Sequence, residues 1–197
     1  MSGIRVMTYD STDWAGNSLT KSWFAGGKLY KFFRALDVVK PVTSWKEAFS
    51  WLNTVDPGKK IDMWQFWGHG SPAKVYVNGG SVGLDLLAQN HEFHADLVAL
   101  KARLHPQSLV WFRSCETFNG PNGKKFAKDL ADFLGCTVAA HTFIIGPFQS
   151  GLHSVRPGQE PSWPDGEGCD ANGRGQVSMP WYTNTVTCLT GNVPKGW

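Results

Sequence analysis

Two residues of this sequence are suited to act together chemically, a histidine and a cysteine that each follow an apolar run. His69 comes after the run 61–67, and Cys115 comes after the run 108–112. A nearly unbroken apolar run is typical of a strand buried on both faces of a parallel sheet. Because neighbouring parallel strands open into the same crevice at their carboxyl ends, we expect His69 and Cys115 to lie within reach of each other.

A cysteine beside a histidine can act as a nucleophile with its base. A free thiol has a pKa near ~8.5, and a nearby imidazole either raises the thiolate fraction or takes the proton during attack. Gly70 and the backbone after Cys115 could donate N–H groups to a developing oxyanion, because glycine allows close approach of the backbone. The pattern therefore predicts an acyl-transfer site.

Less specific interpretations of these residues and their neighbours stay open. His69 alone could be a turn histidine, and Cys115 alone could be a small buried apolar side chain. Glu116 could orient His69 or cap the following turn. His141, near the end of a further strand, could line the substrate pocket or be a half-buried strand residue.

The elements that must position these residues alternate between strands and helices. A capping box at Ser44 and Glu47 begins one helix, and Gly135 ends another. A further helix is predicted over residues 29–36, with Leu29, Phe32, Phe33 and Leu36 on its buried face. The alternation predicts one α/β domain over residues 1–197, with a three-layer arrangement and a mostly parallel central sheet that has helices on both faces.

From residue 146 to residue 197 the composition changes. Gly, Pro, Ser, Asn and Trp dominate, so we expect an irregular tail packed on the domain, with one strand within residues 177–189. Trp163, Trp181 and Trp197 could form a stacking surface for a sugar or a peptide, or anchor the tail to the body. Cys169 and Cys188 could form a disulfide in an oxidising compartment.

Composition narrows the class of protein. Apolar residues make up 42% of the 197 residues and charged residues 18%, which favours a folded globular chain over disorder. The net charge of +3 is spread along the chain, so we expect no nucleic-acid partner. No apolar run is long enough to span a membrane, and the first residues lack a secretory pattern. We therefore expect no membrane partner and a cytoplasmic location, with non-classical export as an effector left open.

No motif points to an organic cofactor, and we expect none. His91 and His94 are spaced so that a helix would place them on one face, but further metal ligands are missing, so we also expect no metal site.

The two apolar runs and the residues that follow them resemble the signature of caspase-like cysteine peptidases, the group of caspases, legumains, clostripain and gingipains. In that signature an apolar block precedes His-Gly, and a second apolar block precedes a small residue and Cys. Residues 63–70 and 109–115 follow this order, and the spacing of His69 and Cys115 is close to the roughly 50 residues of the caspase pattern. The middle of the chain is also similar to a caspase-fold domain of unassigned function found in large bacterial surface proteins.

The resemblance covers residues 4–146 and implies a caspase-hemoglobinase-like fold with His69 and Cys115 as the catalytic dyad. It departs from the family at Arg113, because the position two before the nucleophile is Gln or Glu in caspases and legumains and lines their specificity pocket. By this analogy, Arg113 favours an acidic side chain in the substrate. Pairing of Arg113 with Asp10, at the end of the first predicted strand, is the alternative.

Two functions follow as hypotheses. The first is a cysteine hydrolase, above all an endopeptidase, that acts on a peptide or protein substrate. The second is a catalytically inactive module of the same fold that recognises a protein or a glycan through its crevice and its Trp-rich tail. A toxin-like effector would be the enzyme acting in another cell.

Overall fold

The computed structural model describes residues 3–12 and 19–197. The strands are β1 (Ile4–Asp10), β2 (Val38–Val42), β3 (Ile61–Trp67), β4 (His69–Ser71), β5 (Lys74–Val77), β6 (Gly80–Gly83), β7 (Leu109–Arg113), β8 (Thr137–His141), β9 (Phe148–Gln149), β10 (Leu152–Val155) and β11 (Val186–Thr187). The helices are α1 (Leu19–Phe32), α2 (Trp45–Thr54), α3 (His94–Arg103) and α4 (Gly120–Leu134), and a 3-10 turn spans Leu84–Leu87. Within these described ranges, no helix has the length and apolar content needed to cross a bilayer.

Six strands form the central sheet, in the order β10-β8-β7-β3-β1-β2. Five of them run parallel, and β10 pairs with β8 in the antiparallel direction. The strands β4, β5 and β6 form a separate antiparallel sheet, and β9 pairs with β11. The predicted α/β class with a mostly parallel central sheet is therefore confirmed.

Alternate residues of the sheet point into two different cores. Val6 of β1 belongs to a large apolar cluster with Phe49 of α2 and Phe126 of α4. Its neighbour Met7 belongs to a second cluster that contains Trp23 of α1. This alternation places α2 and α4 on one face of the sheet and α1 on the other, because successive side chains of a strand point to opposite faces.

The C-terminal segment covers part of the sheet too. Trp111 of β7 packs in a third cluster with Val186 of β11, and Trp197 lies against that cluster. The tail also supplies β10, which the sequence did not predict. In the predicted range 177–189, the structure has only β11 and an isolated bridge between Ile144 and Val177. Short strands such as these form because β8 and β9 offer free edges, and the sequence alone does not encode those edges.

Helix α1 differs from its prediction. It begins ten residues earlier than expected, and the described helix buries Trp23, Gly27 and Tyr30. Leu29, Phe32 and Phe33 are 37%, 79% and 68% exposed, so the expected buried stripe is wrong at these three positions. The helix also ends at Phe32, before the predicted end at residue 36. The helix can approach the sheet closely because Gly27 has no side chain: an added Cβ would lie 2.9 Å from Val39.

Both predicted helix boundaries are confirmed. The Ser44 hydroxyl accepts a hydrogen bond of 3.2 Å from the Glu47 N–H at the start of α2. Gly135 ends α4 with a φ of 71°, a left-handed conformation that glycine adopts without steric cost. These two signals are local, and tertiary packing does not override them.

Trp163 anchors the tail. Its ring is stacked between Phe118 and His153, and its indole N–H donates to the Phe118 carbonyl at 3.1 Å. The side chain is only 5% exposed, so both of its faces are closed to a ligand. Trp181, by contrast, is 74% exposed.

We expect Trp163→Ala to lower the free energy of unfolding by about 3–5 kcal/mol, because it empties a buried aromatic site. Trp181→Ala is the matched control and should change that free energy by less than about 0.5 kcal/mol, because the ring is largely in water. Urea titration followed by circular dichroism measures both. Similar losses in the two variants would contradict the anchoring role of Trp163.

Candidate active site

The two central strands of the sheet bring His69 and Cys115 to one edge. β3 and β7 are parallel neighbours, and Trp67 at the end of β3 pairs with Arg113 at the end of β7. His69 follows β3 after one glycine, and Cys115 follows β7 after one serine. Both residues line a single cavity of about 540 Å³. The predicted convergence of these two residues on one crevice is therefore observed.

Gly70 lies directly against the turn that carries Cys115. A Cβ at position 70 would collide with the Cys115 carbonyl oxygen and would lie 2.9 Å from the Ser114 Cβ and 2.8 Å from the Thr117 Oγ1. A side chain at this position would therefore push β4 away from the turn after β7. Because Gly70 has no side chain, β4 and the Cys115 turn can approach each other this closely. The oxyanion role of Gly70 stays a prediction.

The Cys115 thiol sits in a low-dielectric environment. Its Sγ faces the Ile145 carbonyl at 3.9 Å. Burial raises the pKa of the thiol, the hydrogen bond to the Ile145 carbonyl opposes that rise, and the negative charge of Glu116 adds a smaller increase. The thiol is therefore protonated at neutral pH, and a reaction at Sγ needs a base to take the proton.

His69 is the first residue of β4, in the three-stranded antiparallel sheet. It pairs with Tyr76 in the β4–β5 ladder, and its ring meets the edge of Trp23 with the ring centres 5.5 Å apart. Trp23 belongs to α1, so the helix that was predicted too short supplies one wall of the imidazole site. This contact could not be predicted from the sequence, because nothing in the spacing of Trp23 relates it to His69.

Arg113 is buried, with 1% of its surface exposed. Its guanidinium donates to the Gln149 Oε1 at 3.0 and 2.5 Å, to the Tyr30 hydroxyl at 2.9 Å, and to the carbonyls of Thr190 and Thr187 at 2.6 and 3.0 Å. These bonds account for all five N–H donors of an arginine.

Aromatic rings surround the same guanidinium. Its central carbon lies 4.2 Å from the ring centre of Trp111 and 4.5 Å from that of Trp67. Burial lowers the pKa of Arg113 to about 10, so the group is still charged at neutral pH. The rings stabilise a buried cation through their negative faces.

The alternative that pairs Arg113 with Asp10 is wrong in this structure. The Asp10 carboxylate accepts from the Thr12 N–H at 2.9 Å and from the Asn78 N–H at 3.1 Å. It therefore fixes the loop after β1 and the turn between β5 and β6. Asp10 is outside the residues that line the cavity in the described part of the chain.

Glu116 adopts a left-handed backbone conformation, with a φ of 55°. Its N–H donates to the Phe143 carbonyl at 3.0 Å, and its carbonyl accepts from the Asn119 N–H at 2.8 Å. Its carboxylate lies against Gly175, and burial raises its pKa. The backbone of Glu116 thus forms the tight turn after Cys115, and its action on His69 stays a prediction.

His141 is fully buried at the end of β8, where a half-buried strand residue or a pocket residue was expected. The Trp111 indole donates to its Nε2 at 3.3 Å, and its Nδ1 donates to the Ser150 carbonyl at 3.2 Å. Burial lowers the pKa of His141 to about 3, and the charge of Arg113 lowers it as well. His141 is a neutral structural residue beside Arg113, outside the wall of the cavity.

The remaining cysteines are free thiols. Cys188 lines the cavity beside Cys115, whereas Cys169 contacts the Asn119 side chain at 3.4 Å. No sequence pattern predicts Cys188 at the site, because the tail reaches the cavity only through tertiary packing. In the described ranges, no group of three or more His, Cys, Asp or Glu side chains could hold a metal ion.

We expect Gly70→Ala to destabilise the protein by about 1–3 kcal/mol and to change the alkylation rate of Cys115, because the new methyl group collides with the Cys115 turn. Gly58→Ala is the control, since a Cβ there meets nothing within 4 Å. Thermal unfolding and peptide mass spectrometry after iodoacetamide treatment measure the two effects. Equal behaviour of the two variants would argue against the contact.

His141 also predicts a dependence of stability on pH. The unfolded chain protonates this imidazole near pH 6.5, whereas the folded protein does so only near pH 3. Stability should therefore fall as the pH drops from 6.5 towards 3, by about 1.4 kcal/mol per pH unit from this group. His141→Gln keeps one donor and one acceptor but should flatten the profile in urea titrations between pH 6 and pH 4. An unchanged slope would contradict the neutral buried state of His141.

Comparison with known proteins identifies a family. A search of curated proteins finds no relative of this chain. The profile of a family described as a domain of unknown function, DUF4347, matches residues 43–153. The match is more than half of the chain and contains β3, β7, His69 and Cys115, but it leaves out β1, α1 and most of the tail. The chain belongs to the DUF4347 family.

Proposed function

We propose that this protein is a cysteine hydrolase that cleaves a peptide or protein substrate, with Cys115 as the nucleophile and His69 as the general base and acid. The observation that carries the proposal is the placement of both side chains in the wall of one cavity, at the carboxyl ends of adjacent parallel strands. Active sites of open parallel sheets typically lie at this position.

The protonated state of Cys115 favours one form of the mechanism. Because burial raises the thiol pKa, a resting thiolate is disfavoured. His69 would take the thiol proton as Sγ bonds to the substrate carbonyl carbon, and it would then pass that proton to the leaving amine as the C–N bond breaks. Water would add to the thioester with His69 as base, which releases the acid and returns the proton to Sγ.

The backbone near Gly70 is the proposed site for the negative charge of the tetrahedral intermediate. Gly70 lies against the turn that carries Cys115, and its N–H is therefore the proposed donor from β4. The left-handed turn at Glu116 orients the backbone that follows the nucleophile. The Glu116 N–H itself donates to the Phe143 carbonyl, so the proposed donors to the oxyanion are the N–H groups of Gly70 and Cys115.

We further propose that the fold is that of the caspase-like peptidases. The proposal is supported by the two apolar blocks of the signature, which form the adjacent strands β3 and β7. The inactive binding module remains the second hypothesis. Of its three tryptophans, Trp163 is closed on both faces and Trp181 is exposed.

We expect Cys115→Ala to abolish cleavage of a fluorogenic peptide library and His69→Ala to reduce it by about 10²–10⁴-fold, since that is the usual contribution of a positioned acid–base group. Cys169→Ala is the control, because Cys169 lies away from the cavity. In the wild type, alkylation of Cys115 should rise only towards alkaline pH. Full activity in His69→Ala would rule out the dyad.

A further inference from the structure

The cavity beside His69 and Cys115 is apolar over most of its wall. Helix α1, the end of β3 and the tail supply its large apolar residues, which are Leu19, Trp23, Leu29, Trp67, Ile145, Pro147 and Leu189. Its volume of about 540 Å³ falls within the roughly 300–1,000 Å³ that is typical of ligand pockets. A side chain as large as leucine or phenylalanine fits this space.

The rim of this cavity exposes apolar surface to water. Leu19 is 39% exposed, Leu29 is 37% exposed and Leu189 is 63% exposed. Exposed leucines gathered around one opening cost free energy in water, and an apolar ligand would remove that cost.

The charged residue in the cavity wall already donates its hydrogen bonds to protein acceptors. Among the described residues that line the cavity, Arg113 is the only Lys, Arg, Asp or Glu. Its five N–H donors bond to protein acceptors, as described above. A substrate carboxylate would have to displace Gln149 or a backbone carbonyl, which would leave a buried acceptor without its donor.

We propose that the cavity binds an apolar side chain of the substrate, on the residue whose carbonyl carbon Cys115 attacks. Arg113 is a positioning residue in this arrangement, because it joins β7 to Tyr30 and to Thr190 and so shapes the wall without binding a substrate carboxylate. The identification of the ligand as a substrate rests on the proposed hydrolase function. It replaces the acidic preference expected for Arg113 by analogy.

Binding is measured first, in a protein that cannot react. Cys115→Ala is titrated with the N-acetyl amides of leucine, phenylalanine and aspartate, and binding is followed by tryptophan fluorescence and by NMR. We expect the leucine and phenylalanine amides to bind at least tenfold more tightly than the aspartate amide, within the 10–200-fold range that small changes in a hydrophobic pocket produce. Equal affinities, tighter binding of the aspartate amide, or no binding of any amide would overturn the inference.

A substitution at the rim of the cavity tests whether the amide binds in this cavity. Leu189→Asp should weaken leucine-amide binding by about tenfold, because it places a charge at the mouth of the cavity. Val98→Asp is the matched control, since Val98 is 47% exposed on α3 and lies outside the cavity wall. Equal effects of the two substitutions would contradict binding in this cavity.

Covalent labelling separates this inference from the proposed function. Wild type and His69→Ala are treated with acyloxymethyl ketones that carry leucine or aspartate, and adducts at Cys115 are counted by mass spectrometry. Preferential, His69-dependent labelling by the leucine reagent agrees with both proposals. Equal labelling by the two reagents keeps the hydrolase and overturns the apolar preference. Selective amide binding without any His69-dependent adduct keeps the apolar preference and overturns the hydrolase.

Discussion

The burial of one positive charge constrains the architecture of the site. Arg113 ends β7 and is enclosed by Trp111 and Trp67, so its guanidinium is stable only if every N–H finds an acceptor. Those acceptors come from three distant parts of the chain: helix α1, strand β9, and β11 with the residues that follow it. The same three parts also contribute residues to the cavity wall.

This constraint also links the chemistry to elements outside the family match. The matched residues 43–153 contain His69, Cys115 and Arg113, but Tyr30 and Thr190 lie outside them. His69 and Cys115 therefore belong to the shared family region, whereas much of the cavity wall comes from α1 and from the tail. The proposed catalytic pair and the proposed selectivity thus depend on different parts of the sequence.

The environment of Cys115 follows from the same packing. Burial of Cys115 in the cavity wall removes the thiol from water, and this burial raises its pKa. It also strengthens any hydrogen bond or charge interaction formed inside the cavity during a reaction. A protonated thiol with an imidazole in the same wall is consistent with proton transfer that accompanies attack. His141, neutral and buried beside Arg113, adds no second positive charge to this region.

The elements that depend on local signals could be predicted from the amino-acid sequence. The apolar runs of β3 and β7, the Ser44 cap and the Gly135 terminus all formed as predicted, because burial pattern and capping are encoded within a few neighbouring residues. It also placed His69 and Cys115 at one sheet edge, since the order of parallel strands fixes that edge. The extent of α1, the addition of β10, the approach of Cys188 and the partners of Arg113 could not be predicted in this way. Those features depend on contacts between residues far apart in the chain, and no local pattern specifies which distant acceptors a buried charge will find.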